Sequence, residues 1–182
     1  MKRVLQLLAL TLSVVMAAGA FAGSLPEGTA GGSQLNGRVH HALAMIPDFT
    51  IFDNVSYRVE GNTVTLYGQV RNPTVKDEAL QAVKRLEGVE RVENQIEVLP
   101  ASFNDDRIRL QVARAVLGDS TMTMYRIQPV PPIHIIVKNG HVDLEGVVRS
   151  EMDKNIAFVR ANGVSGVFSV ENNLQVEKAA RS

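Results

Sequence analysis

The sequence contains no cysteine and no tryptophan among its 182 residues. The absence of cysteine excludes a disulfide framework, a thiolate metal site and a cysteine nucleophile. Aromatic residues make up only 5% of the chain, and its 19 basic residues balance its 19 acidic ones. Since there is no basic excess, nucleic-acid binding through bulk charge is not expected. The hydrophobic content of 45% is that of a globular chain able to bury one medium core or two small ones.

The first 22 residues have the pattern of a secretory signal peptide. Lys2 and Arg3 precede an apolar run over residues 4–15, and small residues then offer two A-x-A sites, with cleavage after Ala20 or Ala22. An uncleaved membrane anchor is the alternative, but the run is short for a span of about 20 residues. The pattern predicts a periplasmic or secreted protein, and the lack of cysteine predicts that it is not lipidated.

The chain after this segment repeats itself with a shift of 78 residues. Residues 59–98 align with residues 137–176 without a gap, and 14 of the 40 positions are identical. The matched pairs include Val64 with Val142, Leu66 with Leu144, Gly68 with Gly146, Gly88 with Gly166 and Asn94 with Asn172. Self-similarity at a fixed spacing indicates that one structural unit has been duplicated.

Each copy contains the pattern of a β-hairpin. Alternating apolar and polar residues predict two half-buried strands. Gly61-Asn62 in the first copy and Asn139-Gly140 in the second predict the tight turn between them. Gly68 and Gly146 are predicted on the inward face of the second strand, where a side chain is expected to collide with a helix packed across the sheet.

A helix and a last strand follow the hairpin. Pro73 is predicted in the first turn of this helix, and Gly88, with Gly166 as its counterpart, is predicted to stop it. The helix carries one apolar stripe, formed by Val75, Ala79, Val83 and Leu86. Asn94 and Asn172 lie in the last strand and are predicted to be hydrogen-bonded at its start.

Each copy also opens with an amphipathic helix. In the first copy the apolar stripe consists of Leu35, Val39, Ala42, Leu43 and Ile46, and in the second of Ile108, Val112, Ala115 and Val116. Asn104, Asp105 or Asp106 is predicted to cap the second helix. The prediction is α+β: two tandem two-layer modules, each helix–strand–strand–helix–strand, with two helices on a three-stranded mixed sheet.

The predicted boundaries follow from these elements. Residues 23–33 are rich in Gly, Ser, Thr and Ala and are predicted to be a flexible leader. The first module is predicted over residues 34–99 and the second over residues 104–178. The intervening linker, residues 100–103, is short, so the two modules are expected to touch.

This pattern resembles the BON domain, a small module of exported bacterial proteins. The residues that carry the resemblance are the stretches 64–70, 88–89 and 92–98 in the first copy, and 142–148, 166–167 and 170–176 in the second. The resemblance implies a periplasmic or envelope location, proposed binding to phospholipid or other surfaces, a link to envelope integrity and osmotic stress, and no catalysis. The second copy departs from the pattern through an apparent insertion of about five residues within residues 126–133.

Residues that could support catalysis or metal binding do not form a recognisable set. His40, His41, His134 and His141 do not have the spacing of a metal site. No P-loop, dinucleotide fingerprint or nucleophile elbow is present. The sequence therefore predicts a binding protein without a cofactor, a metal or an enzymatic activity.

The opening helix of the second copy has apolar residues outside its inner stripe. Leu110 and Leu117 lie on another arc, flanked by Arg107 and Arg114, and this combination suits an anionic phospholipid or envelope surface. The alternative is that both leucines pack against the first module or the insertion. Between this helix and the insertion lie Met122, Met124 and Tyr125, which are predicted to fill the core rather than to form an adaptable binding edge.

The leading hypothesis is an envelope protein that associates with phospholipid surfaces through its second module and supports envelope integrity or osmotic-stress tolerance. The alternative is an adaptor that binds another envelope protein through exposed sheet edges or helix faces of the two modules.

Overall fold

The structure is a computed structural model that describes residues 28–128 and 131–177. The first module contains α1 (Gly28–Ala44), β1 (Asn54–Glu60), β2 (Thr63–Val70), α2 (Pro73–Lys84) and β3 (Arg91–Val98). The second contains α3 (Phe103–Leu117), a 3₁₀ turn (Ser120–Met122), α4 (Thr123–Arg126), β4 (Ile133–Lys138), β5 (His141–Val148), α5 (Glu151–Asn162), β6 (Ser169–Asn172) and β7 (Gln175–Val176). The predicted helix–strand–strand–helix–strand order is confirmed in both copies. The predicted signal peptide, residues 1–22, lies outside the described residues.

The two mixed sheets have the same topology. In the first, β2 is the central strand, antiparallel to β1 and parallel to β3. In the second, β5 is antiparallel to β4 and parallel to β6 and β7, which together take the place of β3. The registers also agree, because Val64 lies between Val59 and Val92 while Val142 lies between Val137 and Val170. The duplication seen in the sequence is therefore a duplication of the fold.

Each module has its own hydrophobic core between its sheet and its two long helices. The first core contains Leu35, Val39, Leu43, Ile46, Val64, Leu66, Val70, Val75, Ala79, Val83 and Ile96. The second core contains Ile108, Val112, Val116, Leu117, Met122, Tyr125, Ile133, Ile135, Val137, Val142, Leu144, Val148, Ala157, Ala161 and Leu174. Most of the residues predicted to point inward are in these lists, because the periods of 2 and 3.6 fix which side chains share a face.

Gly68 and Gly146 are required for a different reason from the one predicted. Both adopt positive φ, +120° and +115°, a region that side chains rarely enter. A Cβ at Gly68 would overlap the carbonyl oxygen of Asn54, and a Cβ at Gly146 would overlap that of Pro132. The expected collision with a helix is wrong. The obstacle is the backbone at the start of the neighbouring strand.

The two asparagines make matching hydrogen bonds that join the last strand to the preceding helix. Asn94 Nδ2 donates to the Lys76 carbonyl at 3.2 Å, and Asn172 Nδ2 donates to the Lys154 carbonyl at 2.9 Å. Each Oδ1 accepts from the backbone N–H two residues further on, at 3.1 and 3.3 Å. The predicted position at the strand start is wrong, since Asn94 lies inside β3 and Asn172 ends β6.

Two helix ends differ from the prediction. Pro73 does begin α2, with Asn72 as the N-cap, but the helix ends at Lys84 rather than at Gly88. Gly88 and Gly166, with φ of +88° and +92°, instead lie in the turns that lead into the last strands. At α3 the N-cap is Ser102, whose hydroxyl accepts from Asp105 N at 3.2 Å, so none of the three predicted caps performs this role.

The predicted leader and linker are both shortened by helices. The backbone of α1 is helical from Gly28, inside the stretch predicted as flexible, and α3 begins at Phe103 inside the predicted linker. Once tertiary packing has fixed a helix, adding a turn at its end needs no new nucleation, so weak helix formers such as glycine can be included.

The two modules pack against each other through residues 49–53, the second half of the connection between α1 and β1. Ile51 and Phe52 contact the core of the second module, and Ile135 N donates to the Ile51 carbonyl at 2.7 Å. The carboxylate of Asp53 holds this segment by accepting from Thr50 N at 3.0 Å and Arg71 N at 2.7 Å. Two ion pairs also cross the junction: Lys138 with Glu97 at 2.6 Å, and Arg71 with Asp106 at 3.6 Å. The expected contact between modules is confirmed.

The corresponding connection in the second module is longer and has its own structure. Residues 118–132 join α3 to β4, whereas residues 45–53 join α1 to β1, a difference of six residues. The extra length includes the 3₁₀ turn and α4, so it begins before residues 126–133, where the insertion was predicted. Met122 is 0% exposed and Tyr125 is 2% exposed, while Met124 is partly buried against the same core. The prediction that these three residues fill the core is confirmed.

Candidate functional site

The candidate site is the outer face of α3, and the inner face of this helix fixes its position. Ile108, Val112 and Val116 are fully buried in the second core. Arg109, 2% exposed, donates to the Val137 carbonyl and to Asp106 Oδ1, each at 2.6 Å. These contacts leave α3 with one defined outward side.

Asp105 fixes the N-terminal end of α3 to the hairpin turn. Its carboxylate accepts from the backbone N–H groups of Asn139 and Gly140, each at 2.9 Å. Asn139 has φ of +54° and Gly140 +80°, as the predicted two-residue turn requires. The aspartate is therefore a structural anchor, and it is only 2% exposed.

Four residues form one exposed stripe along α3. Phe103 is 99% exposed and Leu110 is 50% exposed, and Arg107 and Arg114 are also exposed. They are spaced i, i+4, i+7 and i+11, so at 100° per residue they lie within an arc of about 60°. Within the described ranges neither arginine forms a salt bridge, although Arg107 Nη2 donates to Asn104 Oδ1 at 2.8 Å. We call these four residues the α3 stripe.

Leu117, which was predicted to belong to this surface, does not. It is 8% exposed and belongs to the second core, which also contains Met122 and Tyr125 of the connection that follows α3. Leu117 is therefore a core residue of the second module, whereas Leu110 is half exposed. Phe103, which had been left in the linker, takes the place of Leu117 at the other end of the stripe. Its spacing from Arg107 was the sequence signal that could have identified it.

A groove lies between residues 119–121, which follow α3 and begin the 3₁₀ turn, and α5. It has a volume of about 800 Å³ and is lined by Asp119, Ser120, Thr121, Met152, Asn155, Ile156, Val159 and Arg160. Met152 and Val159 are 69% and 64% exposed. Arg114 lines an adjoining pocket together with Val159 and Arg160, so the stripe and the groove are continuous.

The charges in this groove are partly compensated. Arg160 Nε donates to Asp119 Oδ2 at 2.8 Å, and Asp119 Oδ1 accepts from the hydroxyl and backbone N–H of Thr121 at 2.7 and 2.9 Å. The hydrogen bonds from Thr121, followed by the one from Arg160, lower the pKa of Asp119 from 3.8 to about 2. Asp119 therefore stays ionised and neutralises Arg160, whereas Arg114 forms no salt bridge within the described residues.

The first module has a smaller and more acidic groove at the corresponding place. Its volume is about 540 Å³, and it is lined by Ala42, Met45, Ile46, Pro47, Thr74, Asp77, Glu78, Gln81, Ala82 and Arg85. With the shift of 78, Thr74, Glu78 and Gln81 correspond to Met152, Ile156 and Val159. Among the described residues, the helix wall of the groove therefore carries exposed large apolar side chains in the second module and polar ones in the first.

Two other kinds of site are not found among the described residues. No group of three or more His, Asp or Glu side chains is placed to hold a metal ion. No helix in residues 28–128 and 131–177 is long and apolar enough to cross a membrane.

Comparisons with known proteins find similarity to a curated protein and to a solved structure. The chain is 28% identical over 133 residues to osmotically-inducible protein Y of Escherichia coli (strain K12), an alignment that covers 68% of this chain. It spans 62% of the length of that relative. The C-terminal domain of CdsD, a structural protein of the type III secretion system of Chlamydia trachomatis, matches 79% of this chain and 98% of its own length, at 14% identity and a TM-score of 0.30.

The family comparison matches both modules separately. The model of the BON domain matches residues 33–100 and again residues 104–178, close to the predicted boundaries of 34–99 and 104–178. These two matches cover most of the chain and agree with the two cores and the two sheets of the structure. The chain therefore belongs to the BON domain family, with two BON domains in tandem.

Proposed function

We propose that this chain is a non-enzymatic envelope protein that associates reversibly with anionic phospholipid surfaces through the α3 stripe. The observation that carries the proposal is the stripe itself: the exposed Phe103 and Leu110 alternate along the helix with Arg107 and Arg114, which make no salt bridge within the described residues. Apolar side chains on such a face enter the boundary between headgroups and acyl chains, while arginines remain at the headgroups.

The expected affinity is modest. Each arginine near an anionic surface contributes about 1 kcal/mol, and the two apolar side chains add their buried area. The first module contributes little, because Gln34, Gly37 and His41 occupy the positions of Arg107, Leu110 and Arg114 in its opening helix, with a shift of 73. Binding is therefore expected to belong to the second BON domain and to weaken with salt.

The location and physiological role are proposed on separate grounds. The signal-like residues 1–22 support export to the periplasm or beyond. The similarity to osmotically-inducible protein Y supports a role in the response to osmotic stress, and membership of the BON family supports a role at the envelope.

Vesicle co-sedimentation tests the proposed surface. The chain should sediment with phosphatidylglycerol-containing vesicles at low salt, less at moderate salt, and not with phosphatidylcholine vesicles. Arg107→Glu combined with Arg114→Glu should abolish sedimentation, because it replaces attraction by repulsion at the same surface. The matched control is Arg58→Glu with Arg91→Glu, which makes the same charge change at exposed positions of the first module.

The outcomes separate surface binding from net charge. Loss of sedimentation in the α3 variant alone supports the proposal, provided that far-UV circular dichroism shows that the variant is folded. Equal loss in both variants assigns binding to overall charge and removes the specific site. Unchanged binding in the α3 variant also contradicts the proposal.

A second candidate is an envelope adaptor that binds another protein in the groove between residues 119–121 and α5. The supporting observation is the exposure of Met152 and Val159 on the helix wall of this groove, where the first module has Thr74 and Gln81. Capture of one stoichiometric envelope protein, lost in Val159→Glu and retained in the matched Gln81→Glu, without vesicle binding, would favour this candidate.

A further inference from the structure

We propose that the junction between the two BON domains is a pH-sensitive joint, which is closed while His134 is neutral and opens when His134 is protonated. This proposal concerns the arrangement of the domains and is independent of lipid binding.

His134 lies at the centre of the junction. It belongs to β4, next to Ile135, whose N–H is bonded to the Ile51 carbonyl of the first domain. Its ring packs against Phe49, with 5.4 Å between ring centroids and an interplanar angle of 57°. Phe49 in turn packs against the first core. The imidazole is therefore in contact with a side chain that moves with the other domain.

Protonation of the ring at Nδ1 is expected to be energetically unfavourable. Nδ1 is buried and has no hydrogen-bond partner in the part of the chain that the structure describes. As an unpaired acceptor on a neutral ring, this atom is tolerated at moderate cost. Protonation would place a positive charge in this buried position, which is considerably less favourable.

The groups that face the ring oppose this effect only in part. The Asp53 and Thr50 carbonyls and the Asp53 carboxylate approach it from the first domain, and Glu145 approaches it from β5. Both carboxylates already accept other hydrogen bonds, Asp53 from Thr50 and Arg71, and Glu145 from Asn173. Burial outweighs these attractions and lowers the pKa of His134 below 6.5.

The direction of the pH dependence follows from linkage. In the open arrangement the ring is hydrated and its pKa returns to about 6.5. Because the closed arrangement has the lower pKa, the contribution to docking is complete above about pH 6.5 and is lost as the pH falls through the lowered pKa. Each unit by which docking lowers this pKa weakens docking tenfold at the acid end.

Distance measurements between spin labels can follow the joint directly. The chain has no cysteine, so Gln81→Cys on α2 and Asn155→Cys on α5 give two exposed and unique labelling positions. Pulsed electron paramagnetic resonance should give one narrow distance distribution at pH 8 and a broader one at pH 5. The same labels in His134→Phe should give a narrow distribution at both values, because phenylalanine keeps the contact with Phe49 and cannot be protonated. In the control His141→Phe, which changes an exposed histidine, the response of the wild-type chain should remain.

Each remaining outcome contradicts the joint. A wild-type distribution that is identical at pH 8 and pH 5 does so, and so does an acid response that survives in His134→Phe. A loss of far-UV circular dichroism at pH 5 would mean that a domain unfolds rather than moves. If His134→Phe is misfolded, the NMR titration of His134 in the unmodified chain decides, since a pKa at or above 6.5 overturns the proposal.

Discussion

The two domains share a backbone plan but use the connection between their opening helix and first strand in opposite ways. In the first domain, Phe49 stays packed against its own core, while Ile51 and Phe52 lie against the second core. In the second domain, the longer connection folds back and buries Met122 and Tyr125 in its own core. Two duplicated domains can therefore keep the same sheet topology while a connecting segment of one adds side chains to the core of the other.

The same contrast appears at the start of the second helix of each domain. Val75 is fully buried in the first core, and Asp153 occupies the corresponding position in the second domain. Asp153 accepts a hydrogen bond from Tyr125 OH at 2.7 Å, and the same hydroxyl accepts from Arg149 N at 2.8 Å. A polar link to the inserted segment has replaced an apolar contact.

The largest expected effect tests what the two domains have in common. Gly68→Ala and Gly146→Ala should each lower the free energy of unfolding by at least about 3 kcal/mol, because both combine positive φ with overlap of a neighbouring carbonyl. Urea unfolding, followed through NMR signals of each domain, measures this loss. Gly61→Ala, at φ of +60° with open space around it, should cost only about 1 kcal/mol. Tolerance of alanine at either site would refute the shared geometry.

A smaller effect should cross from one domain to the other. Phe52→Ala should destabilise the second domain by about 2 kcal/mol, less than for a fully buried phenylalanine because Phe52 is only partly buried. Hydrogen exchange of the β4 and β5 amides measures this change. Met45→Ala is the control, since Met45 is the first residue of the same connection and is 68% exposed. Protection that falls only in the first domain would show that the junction does not support the second core.

The polar link of the second domain should contribute less. Tyr125→Phe should lower the free energy of unfolding by about 1.5 kcal/mol, because it leaves the Arg149 N–H without its partner. Thermal unfolding of the variant measures this loss. Tyr67→Phe, at a 41% exposed position of the first domain, should change stability by less than about 0.5 kcal/mol. Equal effects of the two substitutions would contradict the role of the link.

The smallest expected effect is a change in the pKa of Asp119, which lines the groove of the second domain. Asp119 occupies the position of Ile46 in the first domain, and its pKa is lowered to about 2. Thr121→Ala removes the largest cause and should raise this pKa towards 3.8 in an NMR titration. Because the folded-state value is lowered, any stabilisation is present above pH 3.8 and is lost as the pH falls through about 2. An unchanged pKa in Thr121→Ala would mean that the backbone N–H of residue 121 and Arg160 are sufficient to hold the carboxylate.

The repeat allowed most of the fold to be predicted, but the candidate site only in part. Period and register place Val64, Leu66 and Val70 inward without knowledge of any partner, since alternation is a local property of a strand. Leu110 and Leu117 have the same character and nearly the same helical direction, yet one is half exposed and the other buried. What separates them is the inserted segment, whose path depends on long-range packing.

The sequence by itself determined the duplication, the order of helices and strands, and the inward residues of each domain, because these follow from short-range periodicity and from matches at a fixed spacing. Only the tertiary structure decided that Gly68 and Gly146 face a neighbouring backbone and that Phe103 rather than Leu117 completes the α3 stripe. It also decided that Ile51 and Phe52 of the first domain contact the core of the second. Each of these depends on which surfaces meet, and surfaces meet according to contacts between residues that are distant in the chain.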